Sequence, residues 1–320
     1  MPFSGSQSFS VFRVNDHILV FMRFTLFILS TIVAILGFQL STFAQSDDEV
    51  ISVDSSIVVM NATITDASGK AVEGLGQKFF KVFEDGVEQE IVSFTSEETP
   101  FAAVILLDTS GSMEQRVTLA RSAAIQFLSG LRSDDNAAIY NFDSKVKLVQ
   151  DFSNSRDLRE QFFDLKADGM TALNDAIYKA AELLSKRDEK RRAIIVLSDG
   201  ADTISGKSAE KALKAASAVN ATIYTVDMSP INDNSPGRIQ NQSVLKSFAD
   251  KTGGKFVATP GGVAMRDAFK RIVEELGVQY TVAFHPANTK KDGKWRTLEL
   301  RVSRPNLTIR TRKGYNGPKK

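Results

Sequence analysis

Apolar and polar residues alternate at both ends of this chain, while its middle follows a different period. After residue 46, "VISVDSSIVVMNATITD" steps apolar to polar, breaks at "ASGKAVEGLG" and resumes through "KFFKVFEDGVEQEIVSFTSEE". A period of two predicts half-buried strands, with Asp66 to Gly69 and Glu84-Asp85-Gly86 supplying the turns. From Phe101 the texture changes. "FAAVILLD" is a continuous apolar run, the pattern of a strand covered on both faces. Val117, Ala120, Ala124, Phe127, Leu128 and Leu131 then recur at helical spacing. "NAAIYNFDS" and "KVKLVQDFS" predict strands, and "RDLREQFFDL" and "LNDAIYKAAELLSKR" predict helices. "RRAIIVLSDG" and "ATIYTVDMS" are further apolar strands. "SAEKALKAASAVN", "SVLKSFADKTGG" and "AMRDAFKRIVEELG" are the helices that follow them.

Strand and helix thus alternate across residues 99–277. This predicts an α/β fold with a doubly wound, mostly parallel, Rossmann-like sheet sandwiched by helices. After Gly277 the alternation of two returns in "VQYTVAFHP", "KWRTLELRVSRP" and "NLTIRTRKGY". Neither flank has enough strands to bury a face alone. The expectation is that residues 46–98 and 278–320 pair into one β-sandwich, with the α/β domain inserted between them.

The amino terminus reads as an export signal. Met22-Arg23 precedes "FTLFILSTIVAILGFQL", and Thr42-Phe43-Ala44 before Gln45 is a small-x-small processing site, so residues 1–45 are assigned to the signal, with translation expected to start at Met22. An uncleaved membrane anchor is the alternative, since no charge occurs from Phe24 through Ser46. The mature protein is expected to be exported: periplasmic, at the cell surface or secreted.

Composition narrows the chemistry mainly by what is missing. There is no cysteine, and the histidines are His17 and His285. Thiolate catalysis, disulfides, iron–sulfur clusters and cysteine-containing zinc sites are excluded. A Ser-His-Asp triad would need His285, which reads as a strand-end residue. Net charge is +2, but residues 290–320 carry eleven basic side chains against Asp292 and Glu299. Because those charges alternate with apolar residues they read as outer faces of strands, with weak contact to an anionic envelope as the sharper alternative. No nucleic-acid partner is expected.

Ligands in open α/β sheets sit at the carboxyl ends of the strands. Asp108 closes "FAAVILLD", with Ser110 and Ser112 next in the loop; Thr171 lies in "DGMTALNDA"; Asp199 closes "AIIVLSDG". Hydroxyl and carboxylate oxygens suit a hard divalent cation. Ser110 and Ser112 would ligate directly if the loop curls, a bend assigned to Gly111. Asp108 and Asp199 would balance charge directly or through water. Taken alone, Ser112 reads as a helix cap. "NDNSPG", residues 232–237, reads as a plain turn, and Asp175 and Asp202 as loop hydrogen-bonding groups.

Asp108-Thr109-Ser110-Gly111-Ser112, with Thr171 and Asp199 in that order, resembles the Asp-x-Ser-x-Ser signature, distant threonine and distant aspartate of von Willebrand factor type A domains. The resemblance covers residues 99–277. It implies a Mg²⁺ site, with Mn²⁺ or Ca²⁺ as alternatives, held by Asp108, Ser110, Ser112, Thr171 and Asp199. One coordination position would be completed by a carboxylate from a protein partner. Met170 departs from the glycine that similar domains often carry before the threonine. "ITDASGKAVEGL", "FKVFEDG" and "TRKGY" in the flanks resemble bacterial exported proteins related to that family. The resemblance implies a non-enzymatic, metal-dependent adhesion or scaffold module. The alternatives are a metal-dependent hydrolase of phosphoesters or envelope material, with Asp199 or Asp202 as base, and a structural envelope protein with a stabilising metal.

Overall fold

The computed structural model describes residues 57–319 except Glu97, Arg156, Asp157, Arg159, Ile231, Asp233 and 259–261. The expected export signal and the start of the first alternating segment lie outside the described residues. The amino-terminal strands are β1 (Val58–Thr65), β2 (Phe80–Glu84), β3 (Val87–Gln89) and β4 (Ile91–Thr95). The α/β region follows as β5 (Phe101–Asp108), α1 (Val117–Ser129), β6 (Asn136–Phe142), β7 (Val146–Ser153), α2 (Glu160–Phe163) and α3 (Leu173–Leu184). It continues with β8 (Arg191–Ser198), α4 (Ala209–Ala218), β9 (Ala221–Asp227), α5 (Pro236–Thr252), β10 (Phe256–Val257) and α6 (Gly262–Gly277). β11 (Tyr280–Phe284), β12 (Trp295–Val302), β13 (Thr308–Thr311) and β14 (Gly314–Asn316) complete the described chain.

Six strands form the central sheet in the order β10-β9-β8-β5-β6-β7. All neighbours are parallel except the β6–β7 pair at one edge. β5 lies between β8 and β6, and every residue in it is buried. Its alternate side chains divide between two cores. Phe101, Ala103, Ile105 and Leu107 join residues of α1 and α6 on one face. Ala102, Val104 and Leu106 join residues of α3, α4 and α5 on the other. A strand covered on both sides needs apolar side chains at successive positions, which is why the run is continuous rather than alternating.

Three sequence expectations need correction. The helix expected from "RDLREQFFDL" is a single turn, Glu160–Phe163, among the described residues. α5 begins at Pro236, earlier than the apolar spacing implied. Ser235 caps it by accepting from the Arg238 amide at 3.2 Å, and proline at the first helical position donates no hydrogen bond that the helix needs. The short strand β10 was not anticipated, because two residues carry no period.

The flanks pair as expected. Antiparallel sheets β13-β1-β11-β4 and β14-β12-β2-β3 each mix amino- and carboxyl-terminal strands, as in Met60 opposite Val282 and Val82 opposite Leu300. Both sheets bury side chains in one core that includes Met60, Ile64, Phe80, Val82, Tyr280 and Leu298. Two sheets sharing one core make a β-sandwich, with the α/β domain inserted between β4 and β11.

Arginines tie the two domains together. Arg191, at the start of β8, is fully buried and donates to the carbonyls of Gly277 (2.7 Å) and Gln279, where the chain returns to the sandwich. Burial holds its guanidinium down at about 10. Arg312 donates to Ser217 of the α/β domain (3.2 Å) and to Val59 of β1 (2.6 Å). Arg310 pairs with Glu275 of α6 at 2.6 Å, and Arg296 lies buried beside Glu84. Reading the basic carboxyl-terminal segment as outer strand faces is therefore wrong for these three residues, which point inward to satisfy backbone carbonyls and buried carboxylates.

Candidate functional site

The chain leaves β5 towards one side of the sheet and β8 towards the other, so the loops at their carboxyl ends border a topological switch point. Asp108 ends β5 and is fully buried. Its Oδ1 accepts from the Ser110 amide at 2.9 Å, curling the loop, and its Oδ2 accepts from the Ser198 hydroxyl at 2.5 Å. Burial, reinforced by the negative charge of Asp199, raises its carboxyl to about 6 against the pull of these hydrogen bonds. That rise corresponds to about 3 kcal/mol of penalty for keeping the group ionised at neutral pH. Neither Asp108 nor Asp199 has an ion-pair partner among the described residues.

The Ser110 and Ser112 hydroxyls stand 3.2 Å apart. A single turn, Gly111–Met113, intervenes before α1, whose N-cap is Arg116 and has no side-chain cap. The helix-cap reading of Ser112 is thereby overturned, and both hydroxyls remain turned to each other rather than to a helix end.

Thr171 is buried at 3% exposure, and no described residue bonds its hydroxyl. Its loop is stitched to the first by the Gly111 amide donating to Gly169 O (3.1 Å) and the Asp168 amide donating to Thr109 O (2.8 Å). A third loop fastens it from the other side. The Thr171 amide donates to the Thr203 hydroxyl at 2.9 Å, and the Thr203 amide donates back to Thr171 O at 2.8 Å. Asp199 follows β8 and accepts from the Ala201 amide at 3.0 Å. The loops of all five candidate residues are therefore joined by direct hydrogen bonds.

Conformational freedom sits elsewhere than expected. Gly111 does not have positive φ, whereas Gly169 (φ 77°) and Gly200 (φ 83°) do. Gly169 supplies immediately before Met170 the flexibility that the sequence comparison sought at Met170 itself, which is exposed. Asp202 accepts from the Asn174 side chain (2.6 Å) and the Ser205 hydroxyl (2.5 Å), and Asp175 accepts from the Gly206 and Lys207 amides, as their loop role anticipated.

Ser198 was missed. It reads in sequence as the last residue of an apolar strand, yet its hydroxyl donates to Asp108 and accepts from the Gly200 amide at 2.9 Å. Asn141 was missed similarly; its side chain donates to the buried Thr109 hydroxyl at 3.0 Å. The available signal was a polar residue at the carboxyl end of each strand flanking β5.

Among the described residues no three histidine, aspartate or glutamate side chains cluster as a metal site. The donor set is instead two carboxylates and three hydroxyls. Such a set is suited to hard, oxygen-preferring cations.

Comparison with known proteins addresses the same segment. Residues 103–201 match the von Willebrand factor type A domain model. An uncharacterized protein of Synechocystis sp. is 27% identical over 184 residues, covering 54% of this chain and 42% of the relative. The match thus spans less than half the length of that curated relative. An aerotolerance-related membrane protein of Bacteroides fragilis is 22% identical, with TM-score 0.45, over 55% of this chain and 98% of that one. The von Willebrand factor domain of a type V pili tip protein of Porphyromonas gingivalis is 13% identical, with TM-score 0.48, over 57% and 97%. Over residues 103–201 the chain is thus similar to von Willebrand factor type A domains.

Proposed function

We propose that the protein is an exported binding module that engages a carboxylate of a protein partner through a divalent cation, Mg²⁺ by preference, at the Asp108 loop. The observation that carries this reading is the pairing of the Ser110 and Ser112 hydroxyls, 3.2 Å apart and unused as helix caps, beside a buried Asp108 that no basic side chain neutralises. Ser110, Ser112 and Thr171 would hold the cation, and Asp108 and Asp199 would balance its charge. A cation held largely by neutral hydroxyls keeps much of its charge and so attracts an incoming carboxylate.

Hydrolysis with Asp202 as base is disfavoured because both its carboxylate oxygens are engaged, by Asn174 and Ser205; Asp199, the other candidate base, accepts from the Ala201 amide and is assigned to the cation in this reading. Among the described residues no helix is long and apolar enough to cross a membrane. Export rests on the amino-terminal signal read from sequence. Calorimetric titration with Mg²⁺ and Mn²⁺ tests the site. Binding should appear in the intact protein and vanish in Asp108→Ala; equal binding by both would refute the reading. Capture of envelope proteins with Mg²⁺ or EDTA then tests the partner.

A further inference from the structure

A groove of about 900 Å³ lies between α4 and α5 and is also lined by Trp295, Lys313 and Asn316 of the carboxyl-terminal segment; none of the candidate cation-binding residues lines it. Its size is that of an ordinary ligand site, and it lies where such sites concentrate, between two domains. Leu213 of α4, Val244 and Phe248 of α5 and Trp295 of β12 give it an apolar lining. Gln240, Val244, Phe248 and Lys251 share one stripe of α5. The stripe extends about 16 Å at the helical rise, the length of about five extended residues.

Charge on the rim is one-sided. Lys214, Lys251 and Lys313 line the groove, against the single carboxylate of Glu210. None of the three lysines has an ion-pair partner among the described residues. Trp295 is 46% exposed, yet its ring is seated closely over Gly314, where a Cβ would approach the indole to 2.5 Å. An ordered, half-exposed aromatic ring offers contact area at little further entropic cost.

We propose that this groove binds an acidic peptide segment of a protein partner, with an aromatic or aliphatic side chain set on Leu213, Val244, Phe248 and Trp295 and carboxylates facing Lys214, Lys251 and Lys313. A peptide suits the lining better than an acyl chain, because Gln240 and Ser247 stand among the apolar residues and can bond peptide amides. The site contains none of the candidate metal-binding residues, so the proposal stands independently of the metal-dependent reading.

Trp295 is the only tryptophan in the chain and reports directly on occupancy. Its emission should shift to shorter wavelength, saturably, when the intact protein is titrated with a capped hexapeptide alternating glutamate with phenylalanine and leucine. The same titration uses a peptide with lysine in place of glutamate, dodecanoate as an anionic acyl chain, and EDTA. The acidic peptide should bind at least about ten-fold more tightly than the basic one, and Lys214→Glu with Lys251→Glu and Lys313→Glu should remove that preference. EDTA should change nothing. Equal binding of both peptides, preference for dodecanoate, loss of binding in EDTA, or no response to the acidic peptide at millimolar concentration would each overturn the proposal. Circular dichroism of the triple-lysine variant confirms that the fold is retained.

Discussion

The Ser198 hydroxyl donates to Asp108 Oδ2 at 2.5 Å while accepting from the Gly200 amide at 2.9 Å, linking the ends of β5 and β8. Ser198→Ala would leave a buried carboxylate oxygen and a buried amide without this partner. The expected cost is about 1–3 kcal/mol, read from the urea midpoint. Cation affinity should fall as well, because Asp108 would lose its fixed rotamer. A variant with unchanged stability and unchanged Mg²⁺ affinity would show that the serine orients nothing.

Asp108 is costly to ionise in the metal-free protein, where burial holds its carboxyl up at about 6. Asp108→Asn removes that charge while keeping the shape. In EDTA the variant should therefore melt no lower than the parent, with a gain of up to about 3 kcal/mol. In Mg²⁺ the order should reverse, since a cation at one hundred times its Kd stabilises the parent by about 2.7 kcal/mol and the variant by much less. Equal stabilisation of both by Mg²⁺ would place the cation elsewhere.

Two glycines at the site differ in what surrounds them. Gly200 has φ 83°, and a Cβ there would come within 2.6 Å of the Asn241 carbonyl oxygen, a backbone atom of α5. Gly169 has φ 77°, but its Cβ would meet the Ser144 hydroxyl at 2.8 Å, the end of a side chain that can rotate away. Gly169→Ala should cost about 1–2 kcal/mol for the left-handed backbone alone. Gly200→Ala should cost more, because α5 must shift too. Paired denaturation curves decide it, and equal losses would count against backbone crowding at Gly200.

Legibility in the sequence followed the length of each pattern. β5 was readable because burial on two faces demands successive side chains that tolerate it, and β8 because its run from Ala193 to Leu197 is apolar and buried throughout. The pairing of the flanks was readable because neither could bury a face alone. α2 misled, since the spacing in "RDLREQFFDL" is helical while only one turn forms among the described residues. At the site, the order of Asp108, Ser110, Ser112, Thr171 and Asp199 carried the resemblance. Ser198 did not stand out, because a serine ending an apolar strand looks the same in sequence whether or not it bonds a carboxylate across the sheet. Arg296, Arg310 and Arg312 were hidden for the converse reason: alternation locates a strand's two faces but does not say that an arginine can be the buried one.

Glu84, at the end of β2, supplies the pH test. It is 3% exposed; its Oε1 accepts from Arg296 (3.4 Å) and the Tyr315 hydroxyl (3.3 Å), and its Oε2 has no hydrogen-bond partner. An ion pair alone would lower its carboxyl, but burial outweighs Arg296 and raises it above the ordinary value of 4.5. The folded state then holds the proton more tightly than the unfolded chain. The stabilisation is fully present below 4.5 and is lost as pH rises through the higher folded value. Glu84→Gln removes this titration. The urea midpoint of the parent minus that of the variant should therefore decline as pH rises above about 4.5. A difference that instead grows with pH would mean that Arg296 governs the carboxylate and that the pair stabilises the sandwich as an ionised bridge.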